Sequence, residues 1–122
     1  MATIEKIGAK RVVVGAHYGL RDWLAQRATA VLMALFTIVL VIECLLPGEM
    51  SYEKWAAIFS HQWMKVLTFV TIVAIIWHAW VGVRDVLMDY VTAVAPRLVL
   101  QVAAIAWLVG CAGWALQVLW RI

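Results

Sequence analysis

The sequence predicts an all-α integral membrane protein with three transmembrane helices and a short interfacial helix between the first two. Three observations predict this fold class. The 122-residue chain is 66% hydrophobic and 14% charged, whereas soluble domains are about 45–50% apolar and about 25% charged. Its apolar residues fall into three runs of membrane-spanning length. Lysine and arginine residues cluster before the first run, as they do on the cytoplasmic side of membrane proteins.

The first span is predicted at residues 28–46, and Pro47-Gly48 ends it. Its 19 residues reach about 28 Å, close to the ~30 Å hydrocarbon core. The residues before it do not resemble a signal peptide, because the apolar stretch starts late, runs long and lacks a small-residue cleavage pattern. We therefore divide the chain into a cytoplasmic arm, residues 1–22, and a three-helix transmembrane anchor domain, residues 23–122.

The connection after the first span contains the predicted interfacial helix. Its apolar side chains recur at i, i+3, i+4 and i+7: Tyr52, Trp55, Ala56, Phe59. Ser51 is suited to cap the N-terminus of this helix. A helix of this pattern lies on the membrane surface, where Trp55 and Trp63 join the aromatic belt.

The second span follows directly after the predicted interfacial helix, and only a short connection separates it from the third. The second is predicted at residues 64–90, with its apolar body at residues 66–83. The third is predicted at residues 97–120, and Pro96 suits its first turn because the backbone N–H that proline lacks has no helical partner there.

The distribution of cations predicts the orientation of these spans. Five precede the first span: Lys6, Lys10, Arg11, Arg21, Arg27. Because cytoplasmic segments are rich in lysine and arginine, the N-terminus is expected inside. Residues 47–65 then lie outside and residues 84–97 return inside, which leaves the C-terminus periplasmic.

His78 is the residue of greatest chemical interest, because it lies inside the apolar body of the second span. An imidazole at membrane depth is costly and marks a functional site by default. One function is axial ligation of a haem iron. The other interpretation, of about equal weight on this residue alone, is a histidine that hydrogen-bonds a neighbouring helix.

The helix face around His78 fits the first interpretation. His78, Gly82, Asp85 and Asp89 fall within a sector of about 60° on a helix. Gly82 removes bulk beside the imidazole, where a flat macrocycle needs space. Since no other histidine lies at comparable depth, a six-coordinate haem takes its second ligand from another chain.

Four further residues lie at the predicted inner interface. Arg27 opens the first span and either neutralises a haem propionate or only follows the positive-inside bias, with Arg21 as a weaker candidate. Tyr90, about 18 Å along the helix from His78, can donate a hydrogen bond to a quinone carbonyl, and Asp89 can orient it. An interfacial tyrosine anchor is the alternative.

Four motifs together resemble a known family. They are Gln26-Arg27-Ala28-Thr29-Ala30, Tyr52-Glu53-x-Trp55, His78-Ala79-Trp80-x-Gly82 and Asp89-Tyr90-Val91. With the three spans, they resemble the small hydrophobic membrane anchor, of the cytochrome b556 type, of bacterial succinate dehydrogenase, respiratory complex II. The resemblance covers about residues 19–122.

This resemblance implies a four-subunit succinate:ubiquinone oxidoreductase of the bacterial inner membrane, serving the tricarboxylic acid cycle and the respiratory chain. A flavoprotein with covalent FAD would oxidise succinate, and an iron–sulfur protein would relay electrons. A second haem-binding membrane anchor would share haem b with this chain. The present chain would be an enzyme subunit without a complete active site of its own.

The resemblance also implies residue roles. His78 would ligate the haem iron, and Arg27 would lie near the haem propionates, as would Arg21 more weakly. Tyr90 would bind ubiquinone, and Asp89 would support that site. Some members have a histidine before the aspartate where this chain has Arg21-Asp22.

Other functions are weighed against this one. A fumarate-reductase anchor would run the reaction in reverse, and a haem-free structural membrane subunit would use His78 only between helices. Nothing in the composition indicates nucleic-acid binding. Cys44 and Cys111 both lie in apolar runs and form no metal-binding motif, so they are expected to be buried thiols.

Overall fold

The computed structural model describes residues 17–122, and side chains from residue 19 onward. Four helices account for most of this range: α1 His17–Leu45, α2 Tyr52–Ser60, α3 Gln62–Tyr90 and α4 Val94–Arg121. α1, α3 and α4 are long and apolar enough to cross a membrane, and residues 17–122 contain no strand. The predicted all-α fold with three spans and a short intervening helix is confirmed. The predictions for residues 1–16, including the cations Lys6, Lys10 and Arg11, lie outside the described residues.

α3 is the central helix, because α1, α2 and α4 each pack against it. Its buried residues are Met64, Thr71, Ala74 and Val81. They recur at intervals of seven, three and seven, so they form one stripe along the helix. His78 occupies the missing position of this stripe, four residues after Ala74 and three before Val81. The histidine therefore belongs to the packed side of α3.

The start of α1 differs from the predicted start of the first span. The helix begins at His17, whereas the apolar run begins at Ala28. Hydropathy detects only the part of a helix that contacts lipid, and the polar residues before Ala28 are compatible with a helix. Asp22 in this polar extension forms an ion pair with Arg84 of α3, which joins the two helices at that level.

The other end of α1 is closed by Lys54. α1 ends at Leu45, just before Pro47-Gly48 as predicted, and Gly48 has a φ of 123°, which favours glycine. The Lys54 ammonium donates to the carbonyls of Cys44, Leu46 and Gly48 at 2.9, 2.8 and 3.1 Å. These acceptors lie at the negative end of the α1 dipole, where a cation is stabilising.

The bundle thus has two ends, which we name after one residue each. At the Lys54 end, α1 ends, α2 lies, α3 begins and α4 ends. At the Arg84 end, α1 begins, α3 ends and α4 begins, with Pro96 in its first turn as predicted.

The principal apolar cluster lies at the Lys54 end. Its buried members are Ile58, Phe59, Met64 and Leu119. Ser51 caps α2 as predicted by accepting a hydrogen bond from the Lys54 backbone N–H at 3.2 Å.

The apolar pattern of α2 predicts a face toward the membrane surface, and the packing of α2 against the other helices uses a partly different set of side chains. Phe59 is buried, but Tyr52 and Trp55 are exposed, and Ile58, which the pattern did not select, is buried instead. The reason is that α2 packs on α3. Contact with one neighbouring helix buries fewer side chains of α2 than its apolar periodicity alone would indicate.

Candidate functional site

His78 is held against α1 by a hydrogen bond between helices. Its Nδ1 atom lies 3.0 Å from Oγ1 of Thr29, which is buried. The same hydroxyl lies 2.6 Å from the carbonyl oxygen of Ala25 and 3.2 Å from that of Gln26, and it donates to the nearer one. A histidine that binds a metal usually donates its other ring N–H to a carboxylate, a backbone carbonyl or a water. Here the partner of Nδ1 is the Thr29 hydroxyl, which in turn donates to the backbone carbonyl of Ala25.

The other side of His78 borders a cavity of about 520 Å³, here named the His78 cavity. Its lining residues come from α1 and α3: Gly19, Asp22, Trp23, Gln26, Arg27, His78, Asp85. The Arg27 guanidinium lies 5.7 Å from the centre of the Trp23 ring, a cation–π arrangement that positions the charge at the cavity wall. His78 and Arg27, on different helices, are therefore brought to one cavity, which the sequence could only suggest.

The residues around this cavity fit the group that the sequence predicts. Among the described residues, His78 hydrogen-bonds only through Nδ1, so Nε2 is available to a ligand. A Cβ added to Gly82 would meet no atom within 4 Å, so the helix surface one turn from the histidine is open, although Gly82 lines neither cavity described here. The side-chain oxygen of Gln26 is buried with no hydrogen-bond partner in the described part of the chain. An imidazole, a cation and open space are what haem binding requires.

Arg21 lies on a second and larger cavity of about 790 Å³, here named the Arg21 cleft. Its lining residues are Arg21, Asp22, Trp77, Trp80, Val81, Arg84, Asp85, Met88, Asp89. Asp22 and Asp85 border both this cleft and the His78 cavity. Of the two arginines expected near the haem propionates, only Arg27 lines the same cavity as His78.

Asp89 and Tyr90 lie at the very end of α3. Asp89 lines the Arg21 cleft, whereas Tyr90 lines neither cavity and is 81% exposed. Tyr90 makes no hydrogen bond to the side chains described here. Its phenol is therefore presented at the Arg84 end without a protein partner from residues 19–122.

Comparison with known proteins gives the family. The family described as "Succinate dehydrogenase/Fumarate reductase transmembrane subunit" matches residues 1–112. The chain belongs to this family. It is also 39% identical over 102 residues to the "Succinate dehydrogenase hydrophobic membrane anchor subunit" of Coxiella burnetii, an alignment that covers 84% of this chain and 89% of that protein. The family resemblance predicted from the four motifs is confirmed.

Membership in this family makes the chain a membrane subunit of an oxidoreductase complex. The structure adds three features to which the sequence assigned no role: the Thr29 hydroxyl, the Trp23 ring and the Asp22–Arg84 ion pair. Thr29 belongs to one of the four motifs, and its position in the first span, next to the cationic entrance, was a usable signal. Trp23 precedes Arg27 by four residues, the helical spacing at which side chains meet. The Asp22–Arg84 ion pair joins residues 62 positions apart, and no sequence pattern indicates it.

Proposed function

We propose that this chain is the membrane-anchor subunit of a succinate:ubiquinone oxidoreductase in a bacterial inner membrane. In this role it tethers a dimer of a flavoprotein with FAD and an iron–sulfur protein, and it pairs with a second membrane anchor. Family membership, the name of the Coxiella burnetii relative and the three membrane-spanning helices support the proposal. The orientation proposed from the cations puts the Arg84 end on the cytoplasmic side.

His78 is proposed to ligate the iron of haem b through Nε2, with the second axial ligand from the partner anchor. Arg27 would neutralise a propionate from the wall of the same cavity, and Arg21, on the neighbouring cleft, would contribute only to the wider positive field. When bound, haem b supplies a site that accepts and returns one electron. The chain's own contribution is to fix the imidazole, to provide the cation and to leave space for the macrocycle.

Tyr90 is proposed to bind the head group of ubiquinone. Its exposed phenol would donate a hydrogen bond to a quinone carbonyl and so orient the ring. Asp89, the preceding residue, is exposed, and its carboxylate would orient the phenol or pass protons to the site. No residue of this chain carries flavin or iron–sulfur chemistry in the proposal.

The observation that carries the haem proposal is the division of roles on one imidazole. Nδ1 is engaged by Thr29, whereas Nε2 has no partner among residues 19–122 and His78 borders a cavity with a cation on its wall. A histidine that only joins two helices explains the first half of this arrangement and not the second. This is why ligation is preferred to the haem-free structural alternative.

The test compares His78→Ala with His61→Ala in the assembled complex. His61 is exposed just before the start of α3, its ring is 3.0 Å from the Ala57 carbonyl oxygen and 6.3 Å from the centre of the Trp63 ring, and it borders neither cavity, so it controls for the loss of an imidazole. Haem b per covalent flavin is measured from the reduced optical spectrum in membranes. His78→Ala is expected to abolish or strongly reduce the b-type band, and His61→Ala to leave it unchanged.

Two outcomes contradict the proposal in different ways. A b-type band that survives His78→Ala with an unchanged midpoint potential means that His78 is not the ligand. A wild-type complex without haem, whose assembly still depends on His78, supports the haem-free structural alternative. A fumarate-reductase anchor is separated by the direction of catalysis, with fumarate reduced faster by quinol than succinate is oxidised.

A further inference from the structure

We propose that Thr29 is a positioning residue that fixes the tautomer and the ring orientation of His78. The inference rests on the proposed function, because it concerns an imidazole that acts as a ligand. It extends that function by naming a residue on α1, a helix that contributes no ligand of its own. Three atoms in series carry it: the Ala25 carbonyl oxygen, Thr29 Oγ1 and His78 Nδ1.

The number of protons available decides the tautomer. A threonine hydroxyl has one proton to donate and can accept through its lone pairs. That proton is directed at the Ala25 carbonyl, because this contact is the shorter of the two at 2.6 Å and a carbonyl oxygen can only accept. The contact of 3.0 Å with Nδ1 must then be one in which the nitrogen donates. The hydrogen of the neutral imidazole is therefore on Nδ1, and Nε2 keeps the lone pair that a metal requires.

The hydroxyl is itself held in place. Thr29 is 9% exposed. Because it is branched at Cβ, its χ1 angle has few rotamers in a helix, and one of these lets the hydroxyl bond to the carbonyl four residues earlier. Ala25 and Gln26, whose carbonyls both lie near Oγ1, belong to the same rigid helix. The acceptor that His78 meets is thus part of α1 and does not move with α3.

A fixed acceptor on Nδ1 has a predictable effect on the other nitrogen. Partners that accept a hydrogen bond from a metal-binding histidine set its orientation and raise its basicity as a ligand, and their loss typically costs about 10–100-fold in metal affinity or activity. A more basic ligand stabilises the higher oxidation state of the iron more than the lower one. Removing the acceptor should therefore weaken haem retention and raise the midpoint potential of the haem that remains.

The experiment uses Thr29→Val, Thr29→Ser and a matched control, Thr37→Val, in the complete complex in membranes. Thr37 is on the same helix and also bonds to the carbonyl four residues earlier, Met33 at 2.8 Å, but it contacts no histidine. Valine keeps the shape of threonine and removes the hydroxyl, whereas serine keeps the hydroxyl. Haem b per covalent flavin and the haem midpoint potential, by optical redox titration, are the two readouts.

Thr29→Val is expected to reduce haem retention by about 10-fold or more. It is also expected to raise the potential by up to about 59 mV, which is a factor of ten in the ratio of ferric to ferrous affinity for a one-electron couple. Thr29→Ser should restore haem retention to within about twofold of wild type and return the potential to near the wild-type value, and Thr37→Val should change neither. If Thr29→Val does not assemble, Thr29→Ala takes its place, because alanine is smaller than threonine and cannot clash. The same results are expected for it, and Thr29→Ser then differs from it by a single hydroxyl.

The inference is overturned if Thr29→Val matches Thr37→Val in both readouts, or if Thr29→Ser is as impaired as Thr29→Val. Either result together with a loss of haem in His78→Ala leaves the ligand proposal standing and removes only the role of Thr29. Haem that persists in His78→Ala refutes the proposed function itself.

Discussion

The Lys54 end and the Arg84 end of the bundle are built on different physical principles. At the Lys54 end, apolar side chains from α2, α3 and α4 pack together around Met64, which has no exposed surface. At the Arg84 end, α1 and α3 together line two cavities with charged side chains in their walls, and the two helices are joined there by the Asp22–Arg84 ion pair. The side chains at the Lys54 end pack against one another, whereas charged side chains at the Arg84 end line open cavities.

The difference teaches where stability and function reside in this chain. Dispersion contacts stabilise a closely packed end in lipid as well as in water. An end with cavities and half-exposed charges contributes little to stability, and it leaves room for groups that the chain does not contain. All residues proposed to bind a cofactor or quinone lie in the first half of α1 or the second half of α3. Both halves belong to the Arg84 end.

The largest effect on stability is expected from Met64→Ala. Removing a fully buried methionine side chain leaves a cavity and costs about 2–5 kcal/mol. The matched control is Met88→Ala at the Arg84 end, where the side chain is 55% exposed and the cost should stay below about 0.5 kcal/mol. Thermal inactivation of the detergent-solubilised complex measures both. Equal losses would show that the two ends do not differ in packing.

An intermediate effect, on function alone, is expected from Tyr90→Phe. Loss of the phenol hydrogen bond should slow quinone reduction roughly tenfold, since about 1.4 kcal/mol is a factor of ten. Succinate oxidation with a soluble artificial acceptor and the haem content should stay unchanged. Tyr52→Phe is the control, because Tyr52 is a similarly exposed tyrosine at the Lys54 end. If both assays slow together, or neither does, Tyr90 is an interfacial anchor.

The smallest effect is expected from breaking the Asp22–Arg84 ion pair. Its side chains are 30% and 34% exposed, and pairs of this kind contribute about 0.2–1 kcal/mol. A double-mutant cycle of Asp22→Asn and Arg84→Gln, read out as thermal inactivation of the complex, isolates the coupling energy. A coupling above about 2 kcal/mol would mean that the ion pair fastens the Arg84 end as firmly as packing fastens the Lys54 end.

The sequence was most informative where one strong local signal decides the structure. Pro47-Gly48 marked the end of α1, Ser51 marked the start of α2, and the length of the apolar runs marked the spans. It was least informative where tertiary contacts decide. Ile58 is buried because α3 lies beside it, and α1 begins before its apolar run because polar residues continue the helix beyond the part that hydropathy detects.

The candidate site shows the same limit. His78 was selected because an imidazole in an apolar span is rare, and Arg27 because it opens the first span. Thr29 was part of a motif but received no role of its own, because a threonine in an apolar helix usually bonds only to its own backbone, as Thr37 does here. Its contact with His78 joins positions 49 residues apart. Only the packing of α1 on α3 reveals it.

Lys54 also bears on the order in which the chain is assembled. Its three carbonyl acceptors lie only six to ten residues before it, so the closure of the α1–α2 connection needs no residue beyond position 54. Closing so short a segment costs little chain entropy, and such contacts form early in folding. The α1–α2 connection can therefore close during synthesis, while α3 and α4 are still being made. In that order, α3 would start from a connection that the Lys54 contacts already hold against the end of α1.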